Sequence, residues 1–169
     1  MSRFIMVLIA ALALSACATN KPPQMGADGK PLPRVYRISS SQSAKVQYGM
    51  LDSINVLREA SGAAPLELNP LLTAAAETHS RDMSAQNRPW HFGSDGSSPI
   101  DRARRAGFTG QMRGENISET YETESQTLAA WMSQENTRNV VLDKNATQLG
   151  FAWFQEPGGK LWWTMLTGS

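Results

Sequence analysis

The apolar residues of this chain group by spacing into distinct blocks. Phe4 through Leu14 form an unbroken apolar run behind Arg3, too short to cross a bilayer as a finished helix. Residues 18–43 show little apolar periodicity and are rich in Pro, Gly, Ser and Gln, with Pro22, Pro23, Gly26, Gly29, Pro31 and Pro33. That composition predicts a linker. From Ala44 onward Val46, Met50, Ile54 and Leu57 recur at spacings of three and four, the stripe of an amphipathic helix that Ser61 and Gly62 end. Asn69 and Pro70 make an N-cap and first-turn pair. Leu72, Ala76, His79 and Met83 then mark one face of a second helix, expected to lie on a sheet.

Past that helix the pattern breaks into a polar loop, residues 87–98, containing Pro89, His91, Gly93, Asp95 and Gly96. Ile100 to Ala106 predicts a short helix stopped by Gly107. Gly114 to Ser118 enters a strand, and a further helix runs from Glu124 to about Glu135 with Leu128, Trp131 and Met132 as its apolar members. Leu149–Phe154 and Leu161–Leu166 are aromatic and aliphatic runs separated by Pro157, Gly158 and Gly159, which predicts a β-hairpin. Helices first and a hairpin last indicate an α+β domain, an antiparallel sheet covered by helices, running from residue 44 to residue 169. Alternation puts Trp162 and Trp163 on opposite faces, where aromatics of this kind mostly build core.

Charge narrows the partners. With 16 Lys and Arg against 15 Asp and Glu, and no dense basic run, nothing favours nucleic acid or an anionic membrane face. The N-terminal run reads as a signal peptide over residues 1–16. Leu14, Ser15, Ala16 and Cys17 resemble the lipobox of bacterial lipoproteins, in which the thiol is the atom to be acylated. Residues 17–43 are then an acylated N-terminus and linker, and the expected partner is a membrane held through lipid on Cys17. Ala18 and Thr19 lack the aspartate that retains such proteins at an inner membrane, so in a two-membrane cell the outer membrane is expected. Cys17 is the sole cysteine, so no internal disulfide forms and the fold rests on packing.

Across the folded part, Asn55, Arg58, Gly62, Pro65, Leu66, Asn69, Leu72, Ala75, His79 and Met83 occur in a recognisable order. His91, Ser94, Asp95, Gly96, Arg102, Gly107 and Phe108 follow, then Gly114, Glu115 and Asn116, then Trp131, Arg138, Leu142, Gly150, Trp162 and Trp163. This order resembles the CAP family of cysteine-rich secretory and pathogenesis-related proteins, in its bacterial form. The resemblance implies a three-layer α-β-α sandwich and a cleft lined in many members by two histidines and two acids, able to hold a metal. By position His91 looks like the first histidine and Glu115 like the first acid. The second acid falls on Gln134 and the second histidine on Thr137, so two of the four groups are replaced.

One imidazole and one carboxylate do not close a metal site, and no metal or other cofactor is expected; Glu119, Glu122 or Glu135 would have to converge on the pair to supply one. His91 and Glu115 remain the candidate catalytic pair and, with Gln134 and Thr137, the candidate ligand-binding set. No nucleophile stands in a recognisable motif: Ser94 and Ser97 read as turn residues, and His79, on an apolar helix face, reads as a packed histidine with one hydrogen bond. Asn116 and Asn145 begin glycosylation-like triplets that a bacterium does not ordinarily read. The leading expectation is a tethered, non-enzymatic envelope module for a lipid, wall fragment, peptide or protein partner. A peptidase-like hydrolase is the alternative.

Overall fold

The computed structural model of the chain describes residues 35–120 and 122–169. The expected leader, Cys17 and the linker as far as residue 34 lie outside the described residues. Val35–Ser169 form one compact unit.

A 3-10 turn, Ser40–Gln42, leads into α1, Ser43–Ala60. Its stripe of Val46, Met50 and Ile54 is buried, and Gly62 at φ 70° lets the chain leave the helix end. A two-residue strand, β1 (Glu67–Leu68), precedes α2 (Pro70–Gln86). Asn69 Oδ1 caps α2 by accepting from the N–H groups of Leu71 at 2.8 Å and Leu72 at 3.0 Å. After the polar loop come α3 (Pro99–Arg105), with Ser98 and Asp101 as a capping box, and β2 (Met112–Thr120). Next are α4 (Glu124–Ser133), α5 (Glu135–Val141), β3 (Gln148–Gln155) and β4 (Leu161–Gly168).

The strands lie in the order β1-β3-β4-β2. β3 and β4 form the antiparallel hairpin, with Ala152 opposite Thr164, and β2 runs antiparallel to β4, with Glu115 opposite Leu166. β1 pairs parallel to β3, so the sheet is mixed where a wholly antiparallel one was expected. A strand of two residues is too short to show an alternating pattern, and its parallel pairing with β3 needs only the long connection that runs from α2 to α5.

Two cores sandwich the sheet. On one face α1, α4 and α5 meet Leu149, Phe151, Leu161, Trp163 and Met165, and Phe151 stacks on Trp163 with centroids 5.5 Å apart. On the other, Leu72, Ala75 and Ala76 of α2 and Ala103 of α3 meet Ala152 and Leu166. This is the three-layer α-β-α arrangement. Trp162 and Trp163 do point to opposite faces, and both are wholly buried. Their area supplies the packing that the chain's disulfide-free composition demands.

Two boundaries differ from expectation. The single helix predicted over 124–135 is broken at Gln134, whose extended backbone (φ −111°, ψ 135°) separates α4 from α5. Residues 35–43, grouped with the linker by composition, lie on the domain instead. Gln155 accepts the Ile38 N–H at 3.1 Å and donates to Tyr36 O at 2.7 Å, while the Tyr36 hydroxyl donates to Glu124 Oε2 at 2.7 Å. Burial and that carboxylate hold the Tyr36 hydroxyl well above the ordinary tyrosine range.

Candidate functional site

Strand alternation decides which groups meet at Glu115. Along β2, Glu115 turns toward α2 and α3, whereas the next residue, Asn116, turns to the α5 side and donates from Nδ2 to Thr137 O at 2.9 Å. Glu115 is 2% exposed in its side chain, so its charge must be paired. Arg102 of α3, itself 4% exposed, donates from Nη2 to Glu115 Oε2 at 2.6 Å. His91 of the polar loop donates from Nδ1 to Glu115 Oε1 at 2.8 Å. Because a carboxylate only accepts, a proton stands on Nδ1, and in the neutral form of the ring the lone pair is on Nε2. The His91 side chain is 53% exposed.

Arg102 also builds the loop that presents His91. Its Nη1 donates to the carbonyls of His91 at 3.0 Å and Ser97 at 2.9 Å. Asp82 of α2 accepts the Ser94 N–H at 2.7 Å, and Gly93 N–H donates to Ser97 O at 2.8 Å. The main chains of Ser94 and Ser97 thus serve the turn, and neither seryl hydroxyl is hydrogen-bonded to His91 among the described residues.

His79 of α2 lies beneath this pair, wholly buried. Its Nε2–H donates to Trp90 O at 2.9 Å, while Nε2 stands 3.8 Å from Glu115 Oε1, beyond hydrogen-bond reach. Nδ1 has no partner among the described residues. Burial pushes the His79 pKa below its ordinary value, and the nearby Glu115 charge opposes that shift without overcoming it. His79 is therefore a neutral support for the Trp90–His91 segment, not an ion-pair partner.

The other candidates stand elsewhere. Thr137 donates its hydroxyl to Trp131 O at 2.6 Å, locking the α4–α5 break. Gln134 is exposed at that break, and its carbonyl accepts the Arg138 N–H at 2.9 Å. Neither is hydrogen-bonded to His91 or Glu115 among the described residues. Glu119 pairs with Lys160 at 2.9 Å, and Glu122 and Glu135 are exposed. No group of three or more His, Cys, Asp or Glu is arranged to hold a metal among the described residues. The metal that the cleft of the resemblance implies does not fit these residues: both Glu115 oxygens are taken, and the His79 nitrogen nearest them carries a proton.

His79 is the packed histidine with one hydrogen bond that its apolar helix face indicates, and Arg102 is the site residue that sequence reasoning undervalued. Of Arg102, Arg104 and Arg105, only Arg102 is buried in the company of Ala103 and Ala106. An arginine on the inner side of a helix requires a counter-charge, and that was the available signal. The nearness of His79 to Glu115 carried no such signal, since the approach of α2 to β2 depends on how the sheet is ordered.

Comparison with known proteins bears on this arrangement. The sequence pattern of the cysteine-rich secretory protein family (CAP) matches residues 51–166. The uncharacterized protein YkwD of Bacillus subtilis (strain 168) is 28% identical over 119 residues, 70% of this chain and 46% of that protein. A crystallised extracellular protein containing a SCP domain, from Bacillus anthracis str. Ames, superposes with a TM-score of 0.66 at 21% identity, over 79% of this chain and 44% of that one. An outer surface protein of Borrelia burgdorferi superposes with a TM-score of 0.65 at 14% identity, over 80% of this chain and 98% of that one. The chain spans about half the length of YkwD. The two structural likenesses speak for the fold alone.

Proposed function

Because the chain belongs to the cysteine-rich secretory protein family, CAP, across residues 51–166, we propose that it is a cell-envelope binding module, anchored through lipid on Cys17, that recognises a ligand without turning it over. The observation that carries this reading is the closed state of Glu115. Its two oxygens are occupied by Arg102 and His91 at 2.6 and 2.8 Å behind a nearly unexposed side chain, so the carboxylate orients and does not attack. What it orients is a half-exposed imidazole on a loop held by hydrogen bonds from Arg102 and to Asp82. His91 offers a ligand one acceptor at Nε2, beside the exposed Phe92 and the Trp90 ring on which Arg88 stacks at 3.8 Å. The extracellular and surface character of the two structural neighbours supports an envelope location. The ligand classes are a lipid, a wall fragment, a peptide or a partner protein, and the outer membrane is the expected site in a two-membrane cell. Thermal-shift and NMR titrations of the chain from Ala18 to Ser169 with lipids, glycan fragments and peptides test the reading. Ligand-induced shifts around His91 are expected; silence across all classes overturns it.

A second reading has its own observation. An imidazole whose Nδ1–H is held by a buried carboxylate has the geometry of a general base, which favours a peptidase-like hydrolase acting through His91 and a bound water. Under that reading any peptide hydrolysis by the purified protein disappears in both His91→Ala and Glu115→Gln. Activity that survives either substitution eliminates it.

A further inference from the structure

One edge of the sheet is covered at its two ends and open between them. β1 pairs with β3 only at Gln148 and Leu149. At the far end the Gln155 side chain holds the incoming segment, accepting Ile38 N–H and donating to Tyr36 O. Between these points no strand of the described residues lies against the outer side of β3. A groove of about 530 Å³ opens there, with Ala44 and Gln47 of α1 on one wall and Thr73, Glu77 and Arg81 of α2 on the other. It lies at the opposite edge of the sheet from β2, the strand that carries Glu115.

Backbone alternation fixes what the groove floor presents. The carbonyls of Leu149 and Phe151 point outward from the sheet edge, the first to Asn69 N–H at 2.8 Å and the second to Gln47 Nε2 at 2.9 Å. Glu156 N–H, just past the strand, turns the other way to Lys160 O on the β4 side. Odd-numbered residues of β3 therefore address the edge and even-numbered ones address β4. Trp153, half-buried and lining the groove, presents both its N–H and its C=O outward. No strand or side chain among the described residues pairs with them.

A donor and an acceptor on one residue of an open edge fit an extended polypeptide, whose opposing residue returns both hydrogen bonds. β1 already meets the same edge in that way at Gln148 and Leu149. A second copy does not fit, because its β3 edge is flanked by its own α1 and α2 and cannot enter a groove walled by the same two helices. Glu77 and Arg81 pair with each other at 2.8 Å, so the walls ask for no net charge. Trp153 packs on the α1 side of the sheet with Ala44 beside it, an apolar surface, whereas Thr73, Glu77 and Arg81 make the α2 side polar.

We propose that this groove binds a partner protein through an extended segment of about four residues, alternately apolar and polar, added antiparallel to β3 as a further strand. The residue opposite Trp153 exchanges both hydrogen bonds with it and lays an apolar side chain on the α1 side. Its neighbours turn polar side chains to Thr73 and the Glu77–Arg81 pair. The surface is separate from the His91 site and depends on neither reading of it.

The test uses the chain from Ala18 to Ser169, which contains the whole compact unit, and an acetylated, amidated pentapeptide of alternating threonine and valine. In the free protein the Trp153 amide is expected to exchange with solvent roughly tenfold or more faster than those of Ala152 and Phe154, which face β4. The peptide is expected to shift the Trp153 and Gln47 resonances and to slow Trp153 exchange. The same peptide N-methylated at its valines should bind roughly tenfold more weakly, having lost the donors to the edge. Ala44→Trp, at an exposed position of α1, fills the groove and abolishes the shifts at an unchanged melting temperature. Free Trp153 exchange as slow as that of its neighbours, equal binding of the N-methylated peptide, silence with the parent peptide, or shifts confined to the His91 loop each overturns the proposal. Protection of Trp153 that grows with protein concentration overturns it in favour of a second copy, and protection lost on removing residues 18–34 overturns it in favour of this chain's own N-terminal segment.

Discussion

At the scale of single residues, the site is governed by what each buried group lacks. Glu115 is a carboxylate in a nearly dry setting, tolerable only because Arg102 supplies a charge at 2.6 Å. Glu115→Gln leaves Arg102 uncompensated and is expected to cost about 3–5 kcal/mol in a urea-unfolding comparison; a loss below about 1 kcal/mol would show that the pair is not buried as described. His79 acts through pH. Folded, its pKa is depressed by burial; unfolded, it titrates near about 6.5. As pH falls below that value the unfolded chain binds the proton first, so stability drops by up to about 1.4 kcal/mol per pH unit until the folded pKa is reached. Glu156, held below its ordinary value by the Trp162 indole N–H and the Ser84 hydroxyl, contributes only below about pH 4.5 and leaves the interval from about 6.5 to 5 to histidine. His79→Gln, whose amide can donate to Trp90 O without titrating, should flatten the melting temperature across that interval; an unchanged slope assigns it to another group. The His91–Glu115 pair was legible in the sequence because the order of residues around it resembles a family. The packed role of His79 was legible from its apolar helix face, whereas the Arg102 counter-charge and the nearness of His79 to Glu115 were not, since both arise from helices crossing a strand distant in sequence.

At the scale of elements, most boundaries were written locally. Asn69 and Pro70 open α2 and Gly62 closes the α1 turn, because caps and positive φ act through adjacent peptide groups. The break at Gln134 and the pairing of β1 were not legible. The first is enforced by Thr137 reaching back to Trp131 O, and the second by β3 offering its edge to residues that have no periodicity of their own. One close approach fixes the distance between two layers. A Cβ on Gly150 of β3 would stand 2.3 Å from the Leu72 carbonyl carbon of α2, backbone that cannot turn aside. Gly150→Ala is expected to push α2 from the sheet and destabilise by about 3 kcal/mol. Gly158→Ala, in the hairpin turn with nothing within 4 Å of its Cβ, should be nearly neutral. Equal urea midpoints for the two variants would refute the close packing of α2 on β3.

At the scale of the whole molecule, the proposed anchoring rests on one atom. No described helix is long and apolar enough to cross a membrane, and a formal net charge of +1 gives an anionic bilayer little to hold. The proposed attachment runs through acyl chains on Cys17, and more than one chain is needed for it to persist, since a single chain holds only marginally. The folded unit owes nothing to that sulfur, because a chain with one cysteine has no internal disulfide to lose. The two properties should therefore separate completely. Cys17→Ser is expected to move the protein from the membrane fraction to the soluble fraction at both low and high salt, while the melting temperature of its folded unit, with or without reductant, stays that of the parent. Retention of Cys17→Ser on membranes at high salt would place the attachment elsewhere in the chain, and a lower melting temperature would mean that the N-terminus contributes to the fold.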